Sequence, residues 1–387
     1  MPVINRIADF FNDMQDWRQH IHSNPEVGFE CYKTADFVIS KLKEFGIDEI
    51  HTKIAKTGVV ALIRGGSPGK TIGLRADMDA LPLSEVLNHP YKSKVPGVMH
   101  ACGHDGHTTM LLGAAKYLTE TRNFSGNVAL IFQPAEEGGG GAEVMCKEGI
   151  MDRFSIDQVY GIHNDPSSPL GFFKTNQGPS MAAADEFSIF IEGKGGHAAE
   201  PEDTIDPLII AVQLIQSIQT ISSRNLSVLD PAVISITQIH SGATHNIIPN
   251  NAFINGTVRT LTKESQKLVV KRLEEICKGQ SLVFNGKVKL DYQYGYPPTV
   301  NHSEETVFAA KVAAQIVGSE NVNANAKPIM ASEDFSYMIK ERPGSYLHIG
   351  QGKGPPVHNP EYDFNDDLSP IGASFLAKLV ETAQPIK

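Results

Sequence analysis

Four short, almost unbroken apolar runs constrain this chain more than any other feature. They are 58–64 (GVVALIR), 71–76 (TIGLRA), 127–132 (NVALIF) and 158–163 (QVYGIH). Each is too short for a buried helix and is β-branched, which suits strands covered on both faces. Between them, 106–120 (GHTTMLLGAAKYLTE) is rich in Leu and Ala and reads as a helix. Strands alternating with helices predict an α/β fold, a mostly parallel sheet with helices on both sides. A chain of 387 residues exceeds the size at which one hydrophobic core usually stops growing, so two domains are expected.

The pattern changes near Asp185. The run 187–192 (FSIFIE) alternates polar and apolar residues, as a strand with one wet face does. Asp206 and Pro207 supply an N-cap and a first helical residue for a helix through Ile221. Strands at 232–240 and 252–260, an amphipathic helix at 263–278 and a strand at 287–294 follow. The order β-α-β-β-α-β is that of a ferredoxin-like α+β unit. It ends at Gly295-Tyr296-Pro297-Pro298, a stiff hinge, after which 304–317 is helical and 345–349 (SYLHI) a buried strand. The expected organisation is a larger α/β domain in two parts, 1–184 and 296–387, interrupted by an inserted domain at 185–295.

Charge narrows the partners. With 34 Lys and Arg against 44 Asp and Glu, the net charge is −10, which disfavours nucleic acid and anionic membrane. The cysteines Cys31, Cys102, Cys146 and Cys277 are scattered, unlike a disulfide framework. The opening segment is amphipathic, with early acids and no basic, apolar leader. No stretch approaches the roughly 18 uninterrupted apolar residues of a membrane span. These features lead us to expect a cytoplasmic globular protein.

The chemistry sits at the ends of the apolar runs. Asp77 and Asp79 follow the second, Glu136 and Glu137 the third, and His163 closes the fourth. Open α/β sheets bind ligands outside the carboxyl ends of their strands, so these groups converge. Cys102 and His104 lie in a glycine-bracketed run, His100 to His107, and His358 lies beyond the last strand. A lone Cys-x-His pair is more often chance than a ligand set. Thiolate, imidazole and carboxylate together are the donors of zinc and its neighbours. Cys102, His104, Glu137, His163 and His358 make five donors, and a catalytic zinc normally takes three, so two ions sharing a water are expected. Glu136, not needed as a ligand, is then the candidate general base. Asp79 is expected to orient a metal-bound histidine. The quieter positions are His197 in a glycine-rich turn, Asn246 before Ile-Ile-Pro, and Arg259 on a strand. Each reads equally well as a turn, capping or surface ion-pair residue.

These segments amount to a signature. Asp-Met-Asp-Ala-Leu-Pro (77–82), Met-His-Ala-Cys-Gly-His-Asp (99–105), Gln-Pro-Ala-Glu-Glu-Gly (133–138) and Gly-Ile-His-Asn (161–164) occur in order. Gly-Gly-His-Ala-Ala-Glu-Pro (195–201), Asn-Ile-Ile-Pro (246–249), Ser-Glu-Asp-Phe (332–335) and His-Asn-Pro-Glu-Tyr-Asp-Phe (358–364) follow. The chain resembles the hippurate hydrolase and N-acyl-L-amino acid amidohydrolase branch of the aminoacylase and carboxypeptidase-like metallopeptidases, which includes plant auxin–amino acid conjugate hydrolases. The resemblance implies that Cys102, His104, Glu137, His163 and His358 hold two divalent ions (zinc, manganese, cobalt or nickel), with Glu136 as base and Asp79 in support. It implies a lid and homodimerisation role for the inserted domain. His197 would steady the tetrahedral intermediate in the other protomer's active site. Asn246 and Arg259 would meet the substrate carboxylate and oxyanion, Arg through its planar fork. The implied substrate is a small N-acyl amino acid. Free-amine dipeptides are the nearest rival, and a non-catalytic binding protein on the same scaffold a more distant one. Asp165, where relatives carry an aromatic residue, is expected to alter the acyl pocket or favour a cationic group. Cys31, where many relatives have Glu, is expected to be structural.

Overall fold

The computed structural model describes residues 3–47 and 49–386. The chain divides into two compact units: residues 1–178, 300–327 and 334–387 form the first, and 179–299 with 328–333 the second.

The heart of the first unit is an eight-stranded sheet. Its order is Glu49–Ile54, Gly58–Arg64, Asn127–Gln133, Thr71–Asp77, Gln158–Asp165, Gly344–Gly350, Phe173–Lys174 and Val322–Asn323. The middle four strands, Asn127–Gln133 through Gly344–Gly350, run parallel. Three of the four apolar runs are among them, and all of Thr71–Asp77 is buried. The sheet is mixed rather than uniform, because Gly58–Arg64 pairs antiparallel with both neighbours. It belongs to a hairpin with Glu49–Ile54, an edge strand that the sequence hides. That strand is polar, and its turn has neither Asn-Gly nor Asp-Gly; instead Ala55 and Lys56 take positive φ.

The His104–Thr121 helix begins two residues before the expected start and is buried along most of its length, from His104 to Ala115. Its Met110, Leu111, Leu112 and Leu118 join Leu74, Leu130, Phe375 and Leu379 in one core. Each such side chain contributes about 1.5–3 kcal/mol on burial. The parallel strands and this helix therefore share one buried core.

The second unit has four antiparallel strands in the order Ala232–Ser241, Asn251–Thr260, Ala183–Glu192 and Lys287–Tyr296. The helices Pro207–Thr220 and Lys263–Phe284 pack on one face, where Phe187, Ile189 and Ile191 meet Ile210, Leu214, Val269 and Leu273. This is the β-α-β-β-α-β order expected. Asp206 caps the first helix, its Oδ1 accepting from Leu208 N at 2.8 Å, with Pro207 at the first position. The second helix runs six residues further than expected, to Phe284, which packs partly buried against the same core. Among the described residues, no helix is long and apolar enough to cross a membrane.

Candidate metal centre

Three strand ends and one helix start deliver the polar groups. Thr71–Asp77 ends on Asp77, Asn127–Gln133 leads into Glu136 and Glu137, and Gln158–Asp165 carries His163. Cys102 stands before the His104–Thr121 helix, whose preceding Gly103 has φ +92°. A Cβ at Gly103 would lie 2.3 Å from Asn164 Oδ1 and 2.6 Å from Tyr362 Oη, so only glycine fits. His358 follows the Gly344–Gly350 strand and also takes positive φ, at +61°. Its N–H donates to the Ala101 carbonyl at 2.7 Å, which lays it beside Cys102.

The five expected donors come together in two overlapping sets. Cys102, His104 and His163 place ligand atoms within 4.8 Å of one another, and so do Cys102, Glu137 and His358. Cys102 belongs to both. Glu136 and Glu137 likewise lie within 4.8 Å of His104. Cys102 Sγ is 3.3 Å from His163 Nε2, and His358 Nε2 is 3.0 Å from Glu137 Oε1.

The imidazoles are aimed by their outer nitrogens. His104 Nδ1 lies 2.8 Å from the Asp79 carbonyl oxygen, and His163 Nδ1 lies 2.7 Å from the Asn164 carbonyl. Each Nδ1 therefore donates, and each Nε2 is left facing the other donors. His104 Nε2 is buried without a hydrogen-bond partner. A buried orphan nitrogen beside a thiol, a carboxylate and a second imidazole is what a cation site presents, and the donor set suits late first-row divalent ions.

Asp79 lies against His104, as expected of a residue that orients it, with its carboxylate Oδ1 3.4 Å from His104 Nδ1, and it has a second set of partners. Its carbonyl oxygen orients His104, while its carboxylate accepts the backbone N–H groups of Glu136 at 3.0 Å and Glu137 at 3.1 Å. The turn it clamps has Ala135 at φ +56°, an unfavourable conformation for a residue with a side chain. Glu136 is buried, and its Oε1 is 3.4 Å from the Asp334 N–H.

Burial pushes the Cys102 thiol well above its ordinary range, with Glu137 and Glu136 adding to the effect against His104. Burial lowers His163, and the neighbouring His107 lowers it further, so this ring is neutral. Burial acts against protonation of His104 as well, but Asp77 and Cys102 outweigh it and raise the ring. A divalent cation reverses this balance, favouring thiolate and neutral imidazole.

Several residues of this network carried no role in the sequence. Arg75, inside an apolar strand, pairs with Asp77 at 2.7 Å and Asp334 at 3.0 Å and donates to Gln133 at 2.7 Å. His107 spans Asp77 and Asn164 at 2.6 and 2.7 Å, which occupies both its nitrogens. A charged residue within a fully buried strand was the available signal. Asp165 is a departure of another kind: Lys174, Ser167 and Ser168 all engage its carboxylate. That leaves little of it to attract a cationic substrate. Cys31 is fully buried, with Sγ 3.2 Å from the Gly28 carbonyl, and all four cysteines are free thiols.

His197, Asn246 and Arg259 belong to the second unit. A two-residue ladder pairs His197 with Ile247, and Asn246 accepts the Ala198 N–H at 3.1 Å, so these two are neighbours in an exposed turn. Arg259 is half-buried on Asn251–Thr260, and burial lowers it despite Asp185.

Comparison with known proteins gives this arrangement its context. A model of the peptidase family M20/M25/M40 matches residues 73–382. Hippurate hydrolase of Campylobacter jejuni is 44% identical over 379 residues, 98% of this chain and 98% of that protein. Thermostable carboxypeptidase 2 of Saccharolobus solfataricus is 39% identical over 386 residues, spanning 96% of this chain and 97% of its own length. A solved Bacillus subtilis structure, described as a dinuclear metal binding peptidase from the M20 family, matches with TM-score 0.87 and 31% identity over 97% of this chain and 99% of that one. The chain therefore belongs to the M20/M25/M40 peptidase family, as a hydrolase of amide bonds.

Proposed function

We propose that this chain hydrolyses the amide bond of small N-acylated L-amino acids at a centre of two divalent cations. The observation that carries the reading is the pair of donor sets, Cys102-His104-His163 and Cys102-Glu137-His358, overlapping at one thiol. Hippurate is N-benzoylglycine, so the Campylobacter relative is named for a substrate of this class. Cations bound there would supply Lewis acidity to a water and to the amide carbonyl.

The chain's own residues do the rest. Glu136, held beside the donors by the Asp79 clamp on its N–H, takes a proton from the attacking water and returns it to the departing amine. His104 and His163 are held in one tautomer by carbonyl oxygens, which keeps Nε2 available. We carry His197, Asn246 and Arg259 as further assignments on the strength of their motifs: His197 for the tetrahedral intermediate, the other two for the substrate's carboxylate and oxyanion. Unchanged kcat in His197→Ala, or unchanged KM in Arg259→Met, removes the corresponding assignment.

A second reading has a specific observation behind it, the similarity to a carboxypeptidase. Both reactions break an amide whose nitrogen belongs to an amino acid with a free carboxylate. They differ only in whether the acyl side bears an amine. The test is a substrate panel of hippurate, several N-acetyl amino acids and unblocked dipeptides, with protein reconstituted separately with zinc, manganese and cobalt. Cleavage of the acylated compounds, lost in Glu136→Gln, is expected. Preference for unblocked dipeptides would establish the carboxypeptidase or dipeptidase reading instead, and silence with every metal would overturn both.

A further inference from the structure

The Phe11–Ser23 helix buries two cationic side chains completely, Arg18 and His22. Buried charge is tolerated only when paired. Here the partners lie on the very segments that carry the candidate donors. His22 Nδ1 is 2.8 Å from Oδ2 of Asp105, the residue that follows His104, while Asp105 Oδ1 accepts the Gly106 N–H at 3.0 Å. On its other side, His22 Nε2 is 3.5 Å from Glu85 Oε1. Glu85 sits in the irregular segment between Leu81 and Met99, whose reciprocal backbone bonds of 3.0 and 3.1 Å close its neck next to both donor-bearing motifs.

Arg18, whose Nη1 also lies 3.9 Å from the same Asp105 oxygen as His22, reaches the segment that follows His358. Its fork meets Asp366, Nε to Oδ1 at 2.6 Å and Nη2 to Oδ2 at 2.8 Å, and Nη1 reaches Asp363 at 3.4 Å. Its guanidinium lies 4.3 Å from the centre of the Tyr91 ring, and the Tyr91 hydroxyl donates to Asp363 at 2.8 Å. Asp363 and Asp366 follow His358 on the same segment, which the His358 N–H ties to Ala101.

We propose that Arg18 and His22 are positioning residues of the metal centre: one rigid helix fixes the segment of Cys102 and His104 through Asp105, and the segment of His358 through Asp363 and Asp366. The two anchors lie four residues apart on that helix, about one turn, so the spacing between the segments is set by a helical pitch rather than by loops. The inference rests on the metal-centre reading above. It adds that the donors keep their spacing before a cation arrives, which is how preorganisation raises affinity.

The test reads metal binding rather than turnover. Cobalt(II) affinity is measured by competition with a chromophoric chelator, and the ligand-field bands of the bound ion are recorded. His22→Leu and Arg18→Met should each weaken binding by about tenfold and shift the bands. His22→Asn, which retains a donor in the Nδ1 direction, should recover part of the loss. Val38→Ala, at a core position on the Tyr32–Glu44 helix, should lower stability without moving affinity or bands. If His22→Leu fails to fold, Asp366→Asn supplies the same comparison through the His358 segment. Parental affinity and bands in the Arg18 and His22 variants, or losses matched by Val38→Ala, overturn the inference while leaving the proposed function intact. Failure of the parent protein itself to take up cobalt overturns both.

Discussion

Replacing Asp79 by Asn isolates the clamp beneath the acidic pair. The carboxylate is 1% exposed, and its two oxygens accept consecutive N–H groups, from Glu136 and Glu137, at 3.0 and 3.1 Å. Asn has the same shape, so no cavity forms. One oxygen becomes an NH2 group, which cannot accept, and one backbone N–H is left facing a donor. Losing a charged acceptor and orphaning a buried N–H each cost about 1–3 kcal/mol, and the two overlap, so the net penalty is about 3 kcal/mol. That is a substantial part of the 5–15 kcal/mol typical of a domain. Trp17, the single tryptophan, is buried in the first unit, so its fluorescence in a urea titration reports unfolding of the unit that contains the clamp. The shorter His104 contact, 2.8 Å to the Asp79 carbonyl, survives the substitution, while the carboxylate contact at 3.4 Å is altered. The variant should therefore lose stability and about 10–100-fold in cobalt affinity, chiefly through Glu137. An unchanged Trp17 transition together with parental cobalt affinity would refute the clamp.

Three further outcomes are expected. Glu136→Gln should reduce kcat by about 10²–10⁴-fold while cobalt affinity stays at the parental value, since the side chain is assigned to proton transfer and not to the ion; equal losses of both would make it a ligand. Despite its burial, Asp105 and Glu85 raise His22 to about 9, against the opposing charge of Arg18, with neutral His100 the remaining imidazole near it. Because the folded state holds this proton more tightly than the unfolded chain, its contribution is complete below about pH 6.5 and disappears as pH rises through about 9, on the order of 3 kcal/mol. Urea titrations across that range should show this fall in the parent and not in His22→Leu. Finally, Asp165→Asn should leave the ratio of kcat/KM for cationic and neutral acyl-amino acids unchanged, because Lys174 and two serines occupy the carboxylate; a shift of tenfold or more against cationic substrates would show that it faces them.

Much of this architecture was legible from periodicity. The parallel strands are unbroken apolar runs because both their faces are covered, and Asp206-Pro207 announced a helix that the structure caps there. The edge strand Glu49–Ile54 was not legible, because half-exposed polar residues in a two-stranded ribbon carry no hydrophobic period. The site divides in the same way. Donor-type residues at strand ends could be named from order alone. Which atom of Asp79 meets His104, and the fact that Asp165 is engaged by a lysine nine positions along the chain, depend on tertiary geometry that no spacing encodes. Arg75 and Asp334 are 259 residues apart and meet only in the folded core.

Both margins of the eight-stranded sheet are poor templates for a foreign strand. At one, Glu49–Ile54 slips register between His51 and Ile54, carries Glu49 and Lys53, and has Lys53 at φ +62°. At the other, Val322–Asn323 is two residues long. An incoming chain finds too few consecutive unpaired amides to continue the ladder, and charge where it would have to dock. Extending the sheet that gathers the donors with a foreign strand requires one of these margins to be lengthened or straightened first.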